Sequence, residues 1–142
     1  MRTVGEMGSF AIKSVSGGVE LVLGPVCDDE GYYYTVQLIS PVVSGRCDVY
    51  DHHSSKLAAY FGELAVLWWH GWEGEKAYES LEGQLRLSAT RDSVGHVYLG
   101  VALRDGMGGA EYTAGAKLVI DAGQLDGIAE GVKEALGALG AA

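Results

Sequence analysis

The strongest constraint on the fold of this chain is a series of three segments in which apolar and polar side chains alternate. The segments are residues 81–90, 96–104 and 112–120, and the connections 91–95 and 105–110 between them are short. Alternation places every second side chain on one face of a sheet, so each segment is predicted to be a strand with one buried and one solvated face. Short connections favour an antiparallel meander. The side chains predicted to face inward are Leu81, Leu85, Leu87, Ala89, Val97, Leu99, Val101, Leu103, Tyr112, Ala114, Ala116, Leu118 and Ile120.

One amphipathic helix is predicted before these strands and another after them. In both, apolar residues recur at spacings of three and four, which is the period of a helix with one buried stripe. Ser54 or Ser55 is the expected N-cap of the first helix, and Gly71 is expected to end it. Asp121 and Gln124 have the spacing of a capping box at the start of the second. The stripes contain Leu57, Tyr60, Phe61, Leu64, Leu67 and Trp68, and then Leu125, Ile128, Ala129, Val132, Leu136 and Leu139.

The first third of the chain is also predicted to form strands. Residues 10–15, 19–26, 32–40 and 42–50 are rich in apolar, β-branched and aromatic residues. Neither a linker nor a repeat interrupts the sequence, so a single domain over residues 1–142 is expected. Two helices and a sheet, each with one apolar face, bury one another in two layers. The predicted fold is α+β, with a mostly antiparallel sheet of about six or seven strands and both helices packed on one face.

The charge of the chain bears on the kind of partner it can have. Nineteen acidic residues against ten basic ones give a net charge of −9. Nucleic-acid binding needs a cationic face, so direct binding of DNA or RNA is disfavoured. The same charge suits ordinary solubility, or a basic protein partner reached by electrostatic steering.

The sequence also bears on the compartment. It contains no apolar segment of signal-peptide character and no run of membrane-spanning length, so a cytoplasmic protein without a membrane partner is expected. In that compartment Cys27 and Cys47 are predicted to be reduced thiols. A bridge between them would require their strands to pair in register.

Possible metal ligands cluster before the first helix. Asp48, Asp51, His52 and His53 fall within six residues. Adjacent histidines on an extended chain point to opposite faces, and no second ligand pair has a suitable spacing. The segment is therefore interpreted as a polar loop, with Asp51, His52 and His53 as weak metal candidates only. No cofactor is expected.

A tryptophan-rich turn is the candidate binding surface. Trp68 belongs to the helical stripe, whereas Trp69 lies off it and Trp72 sits between glycines. Exposed tryptophan is favoured at protein interfaces because it buries a large area at low entropic cost. Packing in the core over the helix–sheet seam is the competing interpretation. With the acidic neighbours Glu73 and Glu75, the candidate partner-binding residues are Trp69, Trp72, Glu73 and Glu75.

Catalytic patterns do not stand out in the sequence. It contains no GxSxG, no phosphate-binding GxxxxGK[ST] and no GxGxxG after a strand. Acidic residues such as Glu75 and Glu79 could serve acid–base chemistry only where the surroundings separate their pKa values. The primary expectation is therefore a non-enzymatic, acidic binding protein that acts by protein–protein interaction. The alternative is a small enzyme or small-molecule binder with a pocket between helix and sheet.

Residues 68–136 resemble a family of small, uncharacterised actinobacterial proteins. The shared motifs are a Trp-x-Gly-Trp-x-Gly turn, a Ser-Leu-x-Gly-x-Leu-x-Leu strand, a Gly-His-Val strand and an Asp-x-x-x-Leu helix start, here at residues 69–74, 80–87, 95–97 and 121–125. Where that family has a tryptophan in the third strand, this chain has Tyr112. More loosely, the order of elements is similar to that of immunity proteins that neutralise cell-wall-associated bacterial toxins. That resemblance implies a small, acidic, non-enzymatic protein of immunity or antitoxin type.

Overall fold

A computed structural model describes residues 8–27, 33–51, 55–105 and 111–136 and shows an α+β protein. Within these ranges there are eight strands and two α-helices. A single 3-10 turn, Ala122–Gln124, runs directly into the last helix. The elements are β1 (Phe10–Lys13), β2 (Glu20–Val26), β3 (Tyr33–Ile39), β4 (Ser44–Tyr50), α1 (Ser55–His70), β5 (Lys76–Glu79), β6 (Leu85–Arg91), β7 (His96–Asp105), β8 (Tyr112–Asp121) and α2 (Leu125–Leu136).

The strands form two separate sheets. The first sheet has the order β1-β2-β3-β4 and the second the order β5-β6-β7-β8, and every neighbouring pair is antiparallel. The prediction of antiparallel pairing is confirmed, but that of one sheet with six or seven strands is wrong. Alternation within a strand fixes which face is buried and leaves open which other strand lies beside it. Here α1 lies between β4 and β5 in the chain and separates two complete meanders.

The second sheet follows the predicted alternation closely. Leu85 is paired with Leu103, and Leu99 with Leu118, so the apolar side chains of β6, β7 and β8 share one buried face. Two predicted inward residues are exceptions. Leu81 lies in the turn before β6 and is 60% exposed, and Tyr112 is at the open end of β8 and is 72% exposed.

Both sheets and both helices enclose one hydrophobic core. The helices pack on each other, α2 also packs on β1 and β2, and β4 contacts β7. Ser14 links the sheets, because its Oγ donates to the Val119 carbonyl (3.3 Å) and accepts from the Val119 N–H (2.9 Å). The buried residues of the two helical stripes belong to the same core as those of the second sheet, with Trp68 at its margin and Leu139 outside the described residues. The main helix-to-sheet contacts, however, are those of α2 with β1 and β2.

The helix ends also agree with the sequence. The Gly71 N–H donates to the Leu67 carbonyl (2.6 Å), and Gly71 has the left-handed φ of 80° that ends a helix. At the start of α2, the Gln124 side-chain oxygen accepts from the Asp121 N–H (2.8 Å), as a capping box requires. In the described part of the chain, neither helix is long and apolar enough to cross a bilayer.

Candidate functional site

The most exposed tryptophan lies on the outer face of α1. Trp69 is 79% exposed, and Val66, one turn earlier on the same face, is 59% exposed. The opposite face of the helix, with Leu57 and Leu64, is buried in the core. Trp69 also borders a cleft of about 120 Å³ whose other wall is the start of α2. We call this region the Trp69 surface: Val66, Trp69, Ala122, Gly123 and Asp126.

Trp72 has the opposite environment. It is only 7% exposed, because the chain turns back at Gly71. Its indole packs edge-on against Trp68, with the ring centroids 6.5 Å apart. Arg91, at the end of β6, holds this pair: its Nε donates to the Trp72 carbonyl (2.9 Å), and its guanidinium lies 5.4 Å and 5.7 Å from the Trp68 and Trp72 ring centroids. The prediction of Trp72 as an exposed partner-binding residue is therefore wrong. For this side chain the competing interpretation, core packing, is correct.

The two acidic candidates are exposed but do not adjoin the Trp69 cleft. Glu73 lines a shallow depression with Arg91, Asp92 and Ser93, and Glu75 lines a groove on the second sheet. The acidic residue that does line the Trp69 cleft is Asp126. Sequence reasoning missed it, since Asp126 is nearly sixty positions away and only the packing of α2 on α1 brings it there.

A larger concave surface lies on the outer face of the second sheet. It measures about 590 Å³, and small residues such as Ser88, Gly100 and Ala102 form its floor. Its charged sides include the ion pair of Arg86 and Glu79 (3.5 Å). This groove lies on the outer face of the sheet, whereas the alternative function predicted a pocket between helix and sheet. The sequence signal was the presence of small residues at outward positions of β7.

Of the weak metal candidates, Asp51 is part of a buried hydroxyl network. Asp51 is 3% exposed, and its Oδ2 accepts from the Tyr78 hydroxyl, which is 3.4 Å from the Tyr34 hydroxyl. Burial raises the pKa values of both tyrosines, so they remain neutral donors. His52 and His53 lie outside the described residues. Within the described ranges, no group of three His, Cys, Asp or Glu side chains could hold a metal ion.

The two cysteines differ in their positions. Cys27 is exposed at the end of β2, and Cys47 is buried on β4. Burial, with smaller contributions from Asp105 and Asp48, raises the pKa of Cys47 to about 11. Because the thiolate is the reactive form, the burial and raised pKa of Cys47 disfavour a role as a nucleophile.

His96 is held between carboxylates at one end of the second sheet. Its Nδ1 lies 3.0 Å from Asp92 Oδ2, and its Nε2 lies 3.7 Å from Asp121 Oδ1. Tyr98 donates its hydroxyl to the same Asp92 oxygen (3.1 Å). Desolvation acts to raise the pKa of Asp92, but the His96 and Val94 N–H groups and these side chains outweigh it and lower the pKa to about 2. The arrangement ties the β6–β7 turn to the start of α2.

Comparison with known proteins identifies a family whose function is unknown. The model of DUF6228, described as a family of unknown function, matches residues 13–138. No curated protein matches the chain. The comparison therefore contributes a family and no catalytic or binding residues.

Proposed function

This chain belongs to DUF6228, a family of unknown function, and we propose that it is a non-enzymatic binding protein that acts on a protein partner. The observation that carries the proposal is the 79% exposure of Trp69 beside Val66 on the outer face of a helix whose inner face is buried. Tryptophan and an adjacent aliphatic side chain form the apolar centre of many interfaces, where a few large residues supply most of the binding energy. A rigid helix, packed on its inner face, presents them with little loss of entropy on binding.

The charge around the Trp69 surface favours a basic partner. Asp126 lines the cleft beside Trp69. Glu63 lies one turn before Val66 with a side chain that is 59% exposed and pairs with Lys76 (3.6 Å). Glu130 continues the acidic exposed face of α2. These carboxylates surround an apolar centre in a chain of net charge −9, so they would speed the encounter with a cationic protein surface.

An immunity or antitoxin role is the biological form of this proposal. Such a protein neutralises a toxin by occupying its surface, which needs a rigid, acidic, non-enzymatic scaffold and no cofactor. The proposed setting is the cytoplasm of an actinobacterium, with the toxin as the basic partner. The loose similarity of the element order to that of immunity proteins suggests this form by analogy.

The alternative function, a small enzyme or small-molecule binder, would use the groove on the second sheet. That groove is its one supporting observation. Glu79 and Arg86, two of its charged side chains, already pair with each other, and the sequence shows no nucleophile–base arrangement. We expect rates near background with generic ester, phosphate and glycoside substrates. Turnover abolished by a single Glu or His substitution would establish the alternative.

The test of the proposal is a comparison of three baits in pull-downs from host lysate. Wild type, Trp69→Ala and Leu81→Ala are immobilised, and captured proteins are quantified by mass spectrometry. Leu81 is the matched control, since it is also a large exposed side chain (60%) but lies in the turn before β6. We expect a basic protein that wild type and Leu81→Ala retain and Trp69→Ala loses. A set of captured proteins identical for all three baits would contradict the proposal.

A further inference from the structure

The strand register shows which residues lie side by side in the groove on the second sheet. In one row across the sheet, Lys117 of β8, Gly100 of β7, Ser88 of β6 and Ala77 of β5 lie side by side. Three of these four side chains are small, so the middle of the outer face is low and the groove forms there.

Among the residues that the structure describes, none requires glycine at the centre of this row. Gly100 does not have the left-handed φ that favours glycine, and an added Cβ would make only ordinary contacts, at 3.6 Å from the Ser88 carbonyl oxygen. Glycine inside a strand weakens the sheet and often marks the close approach of another backbone or a ligand. The low floor is therefore suited to the close approach of a second surface on this face.

The neighbouring rows place large side chains beside small ones. One row holds Arg86 of β6 next to Ala102 of β7, and the other holds Tyr98 of β7 next to Thr90 of β6. The charges are also divided between the two sides of the sheet. Lys117 is on the β8 side, and the exposed Glu75 and Glu79 are on the β5 side.

We propose that this outer face binds the same face of a second copy of the chain. The two copies are related by a two-fold axis that lies between the two sheets, is parallel to the strands and passes over the line between β6 and β7. Such an axis keeps each residue at its position along the strands and exchanges β5 with β8 and β6 with β7. Lys117 then lies over the second copy's Ala77, between its Glu75 and Glu79. Because the two copies are identical, each contact between them occurs twice, as in isologous dimers.

The same operation matches the shapes of the two faces. Arg86 lies over the second copy's Ala102, Tyr98 over its Thr90, and Gly100 over its Ser88. Large side chains thus meet small ones, and the two backbones approach closely at the centre. The strand directions of the two sheets remain nearly aligned, as in sheet-on-sheet packing.

A pair of opposite charge reversals tests the proposed axis. Lys117→Glu places a third carboxylate between the second copy's Glu75 and Glu79 at each of the two symmetry-related contacts, and Glu75→Lys places a second ammonium group beside Lys117 there. Glu75 is chosen because Glu79 is already engaged by Arg86. Sedimentation velocity, over protein concentrations up to the solubility limit, measures the dimer dissociation constant of each variant and of wild type.

We expect a reversible wild-type dimer, and a dissociation constant raised by about tenfold or more in each single variant, since like charges face each other. An equimolar mixture of Lys117→Glu and Glu75→Lys chains should form a heterodimer with close to wild-type affinity, because every contact then pairs opposite charges. Lys133→Glu, an equal charge change on the exposed side of α2, should leave dimerisation unchanged.

Three results would overturn the proposal. Wild type could remain monomeric at all concentrations, the single variants could dimerise as wild type does, or the mixture could fail to restore the dimer. The Trp69 surface plays no part in this experiment, so its outcome is independent of the proposed function.

Discussion

Trp69 and Trp72 are separated by only two residues, yet their side chains have opposite environments. Trp69 is the penultimate residue of α1 and points away from its buried stripe, so it is exposed. Trp72 follows Gly71, whose left-handed backbone turns the chain back toward β6 and under Arg91. In the sequence both tryptophans were candidates for the surface, because an indole side chain can serve in an interface or in the core. The difference depends on Arg91, a residue nineteen positions downstream.

Alanine substitutions should separate the two tryptophans. Trp72→Ala removes a buried indole and its contacts with Trp68 and Arg91, and should lower the free energy of unfolding by about 3–5 kcal/mol. Trp69→Ala should change it by no more than about 0.5 kcal/mol, as is usual for an exposed position. Urea titrations followed by circular dichroism measure both values. Equal effects of the two substitutions would contradict the assignment of Trp72 to the core.

Asp92 should make stability depend on pH in the acidic range. Its pKa is lowered from 3.8 to about 2 by hydrogen bonds that exist only in the folded protein. The carboxylate therefore stabilises the fold fully above its ordinary pKa, and this contribution is lost as pH falls toward 2. Wild type should be more stable than Asp92→Asn near neutral pH, and the difference should shrink on acidification. Urea titrations at several pH values would show this, and a constant difference would disprove it.

At the scale of elements, β1 to β4 could be predicted from their apolar, β-branched and aromatic residues, and other elements from faces that differ in polarity. The strands β6 to β8 and both helices were found because one side of each is apolar over its whole length. Strand β5 was missed, since Lys76–Glu79 has only four residues, two of them charged. Leu81 was assigned to a strand because it continued the alternation, but Ser80 accepts the Leu85 N–H at its Oγ and closes a turn there (3.1 Å).

Two glycines of α2 test how tightly this helix packs on β1. A methyl group on Gly131 would overlap the Phe10 ring, whereas nothing lies within 4 Å of one on Gly127. Gly127→Ala should therefore raise stability by about 0.5–1 kcal/mol through helix propensity alone. Gly131→Ala should lower it by about 1–3 kcal/mol despite the same gain, because Phe10 must move. Thermal unfolding of the two variants gives the comparison, and stabilisation by both would refute the close contact.

Leu64 tests the packing of α1 in the shared core. It is 1% exposed in the middle of the helix. Leu64→Ala should cost about 2–5 kcal/mol, because it leaves a cavity among residues of both sheets and α2. Val66→Ala, on the exposed face of the same helix, is the control and should have little effect. An unchanged melting temperature for Leu64→Ala would mean that α1 is not part of the core.

At the scale of the whole molecule, the sequence predicted the class of the fold but not how its parts associate. The α+β class and the antiparallel pairing follow from local patterns. How the strands are arranged in two four-stranded sheets, and how these sheets meet, depends on contacts between distant residues, such as the hydrogen bond that joins Ser14 and Val119. The same limit applies to the candidate site. Trp69 could be named from the sequence, but Asp126 and the groove on the second sheet appear only once the elements are packed. Binding surfaces are assembled across elements, and single-sequence periodicity describes one element at a time.

The most direct test of the proposed binding function is an NMR titration that follows the indole N–H resonances of the three tryptophans. They are assigned by single substitutions to phenylalanine, and the basic protein captured in the pull-down is then added. We predict that the Trp69 resonance shifts or broadens as the complex forms, while that of the buried Trp72 changes little. A complex that forms while the Trp69 resonance stays unchanged would contradict the assignment of the Trp69 surface as the binding site.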